Sequence, residues 1–137
     1  MNNNLILIPV LVQVLLTIVL YISLNVVKVR AVKADEVNEA RRSLYEDAWP
    51  EYVLKLNNCI RNQFEVPVLF YVLSISLMVI EAVNYPVLIL SWLFVISRVA
   101  HAYIHTGSNY VPLRRRIFTF GVIVVLLMSI MLAVSIL

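Results

Sequence analysis

Four apolar stretches, each long enough to cross a bilayer, make up most of this chain and leave few folds open to it. A helix rises about 1.5 Å per residue, so roughly 20 residues span a hydrocarbon core of ~30 Å. The stretches fall at about 5–27, 50–83, 86–105 and 113–137. Charged residues are 14% of the chain, against about 25% in a soluble domain. The expected fold class is therefore an all-α membrane protein, a bundle of four transmembrane helices forming a single domain over 1–137. The opening "MNNNLILIPVLVQVLLTIVLYISLNVV" lacks the basic start and small-residue cleavage site of a secretory leader, so it is expected to stay as the first span. The lone Cys59 excludes an internal disulfide and reads as a buried structural thiol.

Prolines punctuate the spans. Pro50 suits the first turn of the second helix. Pro67 lies within that helix, where it removes one hydrogen bond and crowds the carbonyl of Gln63, so a kink is expected. "NYP" at Asn84–Pro86 reads as a tight turn, and "TGSNYVP" at Thr106–Pro112 as the last loop. Between the first two spans lies a polar segment, 28–49. Asp35 would cap a short helix there, with Val37, Ala40, Leu44 and Ala48 at helical spacing. A solvated connector fits the same pattern.

All eleven Lys and Arg residues fall in three places. These are the 28–49 segment (Lys28, Arg30, Lys33, Arg41, Arg42), the start of the second helix (Lys55, Arg61), and the junction of the third and fourth (Arg98, Arg114, Arg115, Arg116). With four spans these places share one side, which the positive-inside rule makes cytoplasmic. Both termini then face away from the cytoplasm.

Helical spacing sorts the polar residues of that side. Arg61 and Glu65 are four apart and Asn62 and Glu65 three apart, so the three share a face. Arg98, His101 and His105 form one stripe on the third helix. Glu65 and Arg98 both sit inside their spans, where lipid-facing charge is costly, so both are expected to turn inward and pair. One explanation is an interhelical clamp with basic side chains snorkelling to headgroups; Arg115 and Arg116 fit that role, or contact with anionic lipid. The other is a ligand site. Topology needs no carboxylate, amide or histidine, whereas several cations with one carboxylate suit a small zwitterion of net negative charge. His101 and His105 offer two nitrogens but no third ligand at a persuasive spacing, so no metal is expected. Nothing resembles a phosphate loop, a hydrolase elbow or a nucleic-acid patch. A small four-helix efflux transporter would need an ionisable residue in a span lining its path, whereas the first span carries only Gln13 and Asn25 and Glu81 sits near a helix end, which argues against transport.

Two blocks carry a family resemblance. "RNQFEVPVLF" (Arg61–Phe70) resembles the Arg-Asn-x-x-Glu signature on the second helix of the MAPEG family, the membrane-associated proteins of eicosanoid and glutathione metabolism. "RVAHAYIHTGSNYVPLR" (Arg98–Arg114) resembles that family's Arg-x-x-His and Pro-x-Arg blocks. The resemblance implies a homotrimer binding glutathione between protomers near the cytosolic face, and the chain looks most like bacterial members, hence a bacterial inner membrane. Carried over by position, Arg61, Asn62 and Glu65 would hold the tripeptide's charged ends, Arg98 would brace Glu65 or the ligand, and His101, with His105 a turn further on, would contact it. Lys28 or Arg30 would add a cation, and Arg114 would lie near the sulfur as the catalytic group. His105 and Phe118 stand where eicosanoid-making members carry tyrosine, and Arg115 where serine is common. The implied activity is a glutathione-dependent transferase or peroxidase acting on lipophilic electrophiles or hydroperoxides; the alternative is a non-catalytic member of the same fold that binds a thiol or lipid.

Overall fold

The computed structural model describes residues 2–137. Among them every regular element is helical. The α-helices are α1 (Leu7–Lys33), α2 (Glu51–Arg61), α3 (Val66–Val79), α4 (Tyr85–Thr106) and α5 (Val111–Ile136). With its leading 3-10 turn (Asn3–Ile6) α1 forms the first span, α2 and α3 together form the second, and α4 and α5 form the third and fourth.

The first helix continues to Lys33, six residues beyond the expected end at 27. No proline or glycine interrupts "NVVKVRAVK", so nothing stops the helix where the apolar run stops. It ends where Asp35 takes a left-handed φ of 57° and Glu36 N–H returns to the Ala31 carbonyl at 3.1 Å. Asp35 therefore closes α1 and does not cap a following helix. The segment after it is a series of turns with one 3-10 turn at Glu46–Ala48. Val37 and Ala48 are buried while Leu44 is 83% exposed, so the apolar residues expected to share one stripe point in different directions. Asn38 N–H donates to the Ala48 carbonyl at 3.0 Å and holds this strap closed.

The kink expected at Pro67 is a full break. After Arg61 the chain tightens into a 3-10 turn (Asn62–Phe64), turns out of helix at Glu65 (φ −102°, ψ −105°), and restarts with Pro67 in the first turn of α3. Proline has no N–H to give the Gln63 carbonyl, and its first-turn position is where that donor is not needed. The second span stops at Val79, four residues short of the expected end, because Glu81 adopts a left-handed φ of 57°. Asn84 then caps α4, its side-chain oxygen accepting from Val87 N–H at 3.0 Å.

Two clusters hold the bundle. At the end near the termini, Ile6, Phe70, Leu77, Val87, Phe94 and Met128 pack together, with Phe70 and Phe94 stacked at 4.5 Å between ring centroids. At the other end Leu20, Leu24, Val53, Leu56, Cys59 and Ala102 form a second cluster. Helices α4 and α5 approach closely at Gly121, where a Cβ would meet Ser97 Oγ at 3.3 Å. The outer faces stay apolar, with Leu11, Ile22, Val72, Ile96 and Leu126 each more than half exposed. Such surface is unfavourable in water and suited to lipid.

Candidate functional site

The polar side chains gather at the end formed by the 34–50 strap, the α2–α3 break and the α4–α5 loop. At the centre is Arg98, fully buried on α4. Its Nη2 lies 3.4 Å from His101 Nδ1, and its guanidinium carbon sits 5.6 Å from the centroid of the Phe118 ring. Nε and Nη1 are buried without a hydrogen-bond partner. Arginine only donates, so His101 Nδ1 accepts and its ring proton belongs on Nε2. His101 and His105 are both buried, their rings edge-on at 5.5 Å between centroids, and Asn62 Nδ2 approaches His105 Nδ1 at 3.3 Å.

In front of Arg98 lies an open groove of about 260 Å³, lined by Asn62, His101, Val111, Arg114, Arg115 and Phe118. Asn62 reaches this wall from the end of α2, its backbone still helical and its N–H bonded to the Asn58 carbonyl. Arg114 enters from the first turn of α5, where its Nη1 donates to Asn109 Oδ1 at 2.5 Å. Asn109 holds a left-handed φ of 52°, a conformation asparagine tolerates better than most side chains.

The expected Glu65–Arg98 pair does not form. Glu65 sits at the helix break and is exposed, whereas Arg98 is buried, and no ion pair joins them among the described residues. Glu65, at the break itself, keeps an exposed side chain that acts on Arg98 only through space and without a contact. Arg61 is also exposed, and its Nη2 meets Glu46 Oε1 of the strap, which Asn57 contacts at 3.2 Å. Lys28 does not line the groove; its ammonium lies over the Trp49 ring at 5.0 Å. Arg30 is exposed on the last turns of α1.

Three participants went unread in the sequence. Glu46 and Asn109 sit in irregular segments whose contacts no periodicity reports. Gln63 carried a readable signal, because a glutamine such as Gln13 inside a span needs a polar partner. Gln13 Nε2 donates to Gln63 Oε1 at 2.8 Å, both side chains being buried, and Gln63 in turn donates to the Cys59 carbonyl at 3.3 Å.

Four apolar spans closed around a polar end define a multi-pass integral membrane protein. Within that class the chain belongs to the MAPEG family, which it matches over residues 6–134. Comparison with curated proteins and with solved structures gives no match.

Proposed function

We propose that this protein is a membrane-bound, glutathione-dependent transferase or peroxidase acting on lipophilic electrophiles or hydroperoxides. The observation that carries the reading is Arg98, a buried guanidinium with two nitrogens unpartnered directly behind the groove wall made by His101 and Phe118. An uncompensated charge buried inside a span is costly and marks a functional position by default. A ligand carboxylate would supply the missing acceptor once the His101 or Phe118 side chain moves aside, because Arg98 is fully buried behind them.

Membership in the MAPEG family supports glutathione as that ligand, and the residues fit it. Glutathione carries two carboxylates and one ammonium. Arg114 offers a cation in the groove and Arg98 one behind it, with Asn62, His101 and His105 as neutral hydrogen-bonding groups; Arg61 and Glu65 lie exposed outside the groove and would meet the tripeptide's charged ends only where it extends beyond it. Arg61 must exchange its Glu46 contact for the ligand. That contact is between half-exposed side chains, where ion pairs contribute about 0–1 kcal/mol, so the exchange costs little. In a homotrimer with the ligand between protomers, the exposed Arg30 is the cation that α1 would offer to a neighbour, since Lys28 faces Trp49 and the cavity under the strap. The positive-inside rule supports a cytoplasmic position for this end, with both termini on the opposite side; the likeness to bacterial members is what supports a bacterial inner membrane.

Bound glutathione supplies a thiol, ordinarily protonated at neutral pH with a cysteine reference pKa of about 8.5. Arg114, fixed by Asn109 at the groove mouth, favours the deprotonated sulfur, and each unit of lowering corresponds to about 1.4 kcal/mol. Val111 and Phe118 supply the apolar side of the groove from which a lipophilic substrate would approach.

The test is glutathione added to the detergent-purified protein, read by thermal shift and by thiolate absorbance. A shift with absorbance is the expected result. Neither, at saturating glutathione, would leave a non-catalytic member of the fold. A single-subunit mass in mild detergent would overturn the shared site.

A further inference from the structure

We propose that the same end carries a second ligand site, a seat for one anionic phospholipid at the foot of α1. It lies apart from the groove, shares no lining residue with it, and does not depend on the glutathione reading.

About 20 residues of α1 cross the hydrocarbon core, so the final turns from Lys28 to Lys33 emerge at headgroup level. Two cavities meet there. One, of about 260 Å³, is polar and bounded by Lys28, Arg42, Ser43, Trp49 and Asn57 among others. The second, of about 290 Å³, is almost wholly apolar and is formed by Val29, Val32 and Trp49 between Lys28 and Lys33. Lys28 and Trp49 are the shared wall, with the ammonium 5.0 Å from the ring centroid. Val29, Val26 and Ile22 continue the apolar path along the outer face of α1, each about half exposed.

The charges favour an anion. Lys28 and Lys33 join no ion pair among the described residues. Arg42, which lines the polar cavity, meets Glu39 only through Nε, at 2.9 Å, which leaves its terminal nitrogens without a carboxylate. The acid on the polar wall, Glu46, is turned onto Arg61 and Asn57. A phosphate in the polar cavity would meet Lys28, Arg42 and the Ser43 hydroxyl, while its acyl chain lies along Val29 and Val32. A zwitterionic headgroup would bring its own ammonium against the two cations. Tryptophan at this depth, with an apolar body and a polar edge, is the residue type that sits at a membrane boundary; Trp49 Nε1 donates to the Arg42 carbonyl at 3.4 Å and ties the strap to the seat.

The chain has two tryptophans, so Trp92→Phe makes Trp49 the sole tryptophan, excited selectively over the tyrosines at the red edge of its absorption. That variant is placed in phosphatidylcholine vesicles containing either phosphatidylglycerol or further phosphatidylcholine with brominated acyl chains, at equal mole fraction. Trp49 should be quenched more strongly by the anionic lipid. Lys28→Gln with Arg42→Gln should reduce that preference by up to roughly 30-fold, following the attraction of about 1 kcal/mol per cation near an anionic surface. Arg42→Gln alone, on an exposed turn, should lose part of it and serves if the double variant fails to fold. Equal quenching by the two lipids, or a preference untouched by both variants, overturns the proposal. A third arm adds brominated long-chain fatty acid to phosphatidylcholine vesicles. If the free acid quenches Trp49 at mole fractions where phosphatidylglycerol does not, the occupant is a lipophilic acid and the phospholipid assignment falls.

Discussion

The two ends of this bundle are made by the same four spans and are held by different means. Near the termini, Phe70, Phe94, Leu77 and Met128 fill the space between helices with hydrocarbon. At the basic end the space holds Arg98, His101 and His105, all buried, and part of the hydrogen-bonding capacity of Arg98 goes unused. A membrane helix gains little by exchanging lipid for a neighbour's leucine, so tight packing must supply what hydrophobicity does not. The end near the termini relies on that packing alone. The basic end keeps an apolar cluster around Leu20, Val53 and Leu56 but sets buried polar groups beside it, and their unsatisfied donors are what an incoming anion can use.

The sharpest way to break this contrast is at Arg98. Arg98→Met should leave the unliganded protein as stable as the parent or more so, because an apolar replacement removes a buried charge. It should also weaken glutathione binding by roughly 30-fold or more, the loss expected when one member of a desolvated charge pair is removed. Thermal unfolding and binding measured on the same preparation decide the matter. Lost stability with unchanged affinity would make Arg98 part of a structural clamp.

Arg114→Ala sharpens it within the site. Turnover of a generic electrophile should fall by about a hundredfold, the scale of removing one preorganised donor to developing negative charge, while glutathione affinity falls much less. Equal losses in both would remove Arg114 from the sulfur side.

At the opposite end, Phe94→Ala should reverse the pattern. The fold should lose about 1–3 kcal/mol, below the 3–5 of a water-soluble core, since the surrounding lipid is itself apolar. Glutathione affinity of the folded fraction should not change. The smallest effect belongs to the strap. Glu46→Gln frees Arg61 and should tighten glutathione binding by up to about fivefold, the ceiling set by a half-exposed ion pair. Titration by calorimetry in detergent would detect it, and weaker binding would mean that the strap helps to build the site.

Much of this was legible along the chain, for reasons that can be traced residue by residue. An uninterrupted apolar run of about 20 residues has few alternatives to a spanning helix, because lipid offers no partner for an open backbone. The clustering of Lys and Arg at one end follows from the same runs, and Pro67 announces a disturbance of the second span through its missing N–H. Boundaries were less legible. Lys28 to Lys33 are polar enough to read as a loop yet contain nothing that stops a helix, so α1 outruns its apolar stretch.

What the order of residues could not carry is which polar groups meet. Spacing put Asn62 and Glu65 on one face, and that inference assumes an unbroken helix. The chain leaves helical geometry at Glu65, and Asn62 lines the groove while Glu65 stays exposed outside it. Contacts between segments distant in sequence, such as Arg61 with Glu46 and Gln13 with Gln63, leave no periodic trace. Periodicity reports the direction of a side chain relative to its own helix axis. Only the packing of one helix against another decides what that side chain finds there.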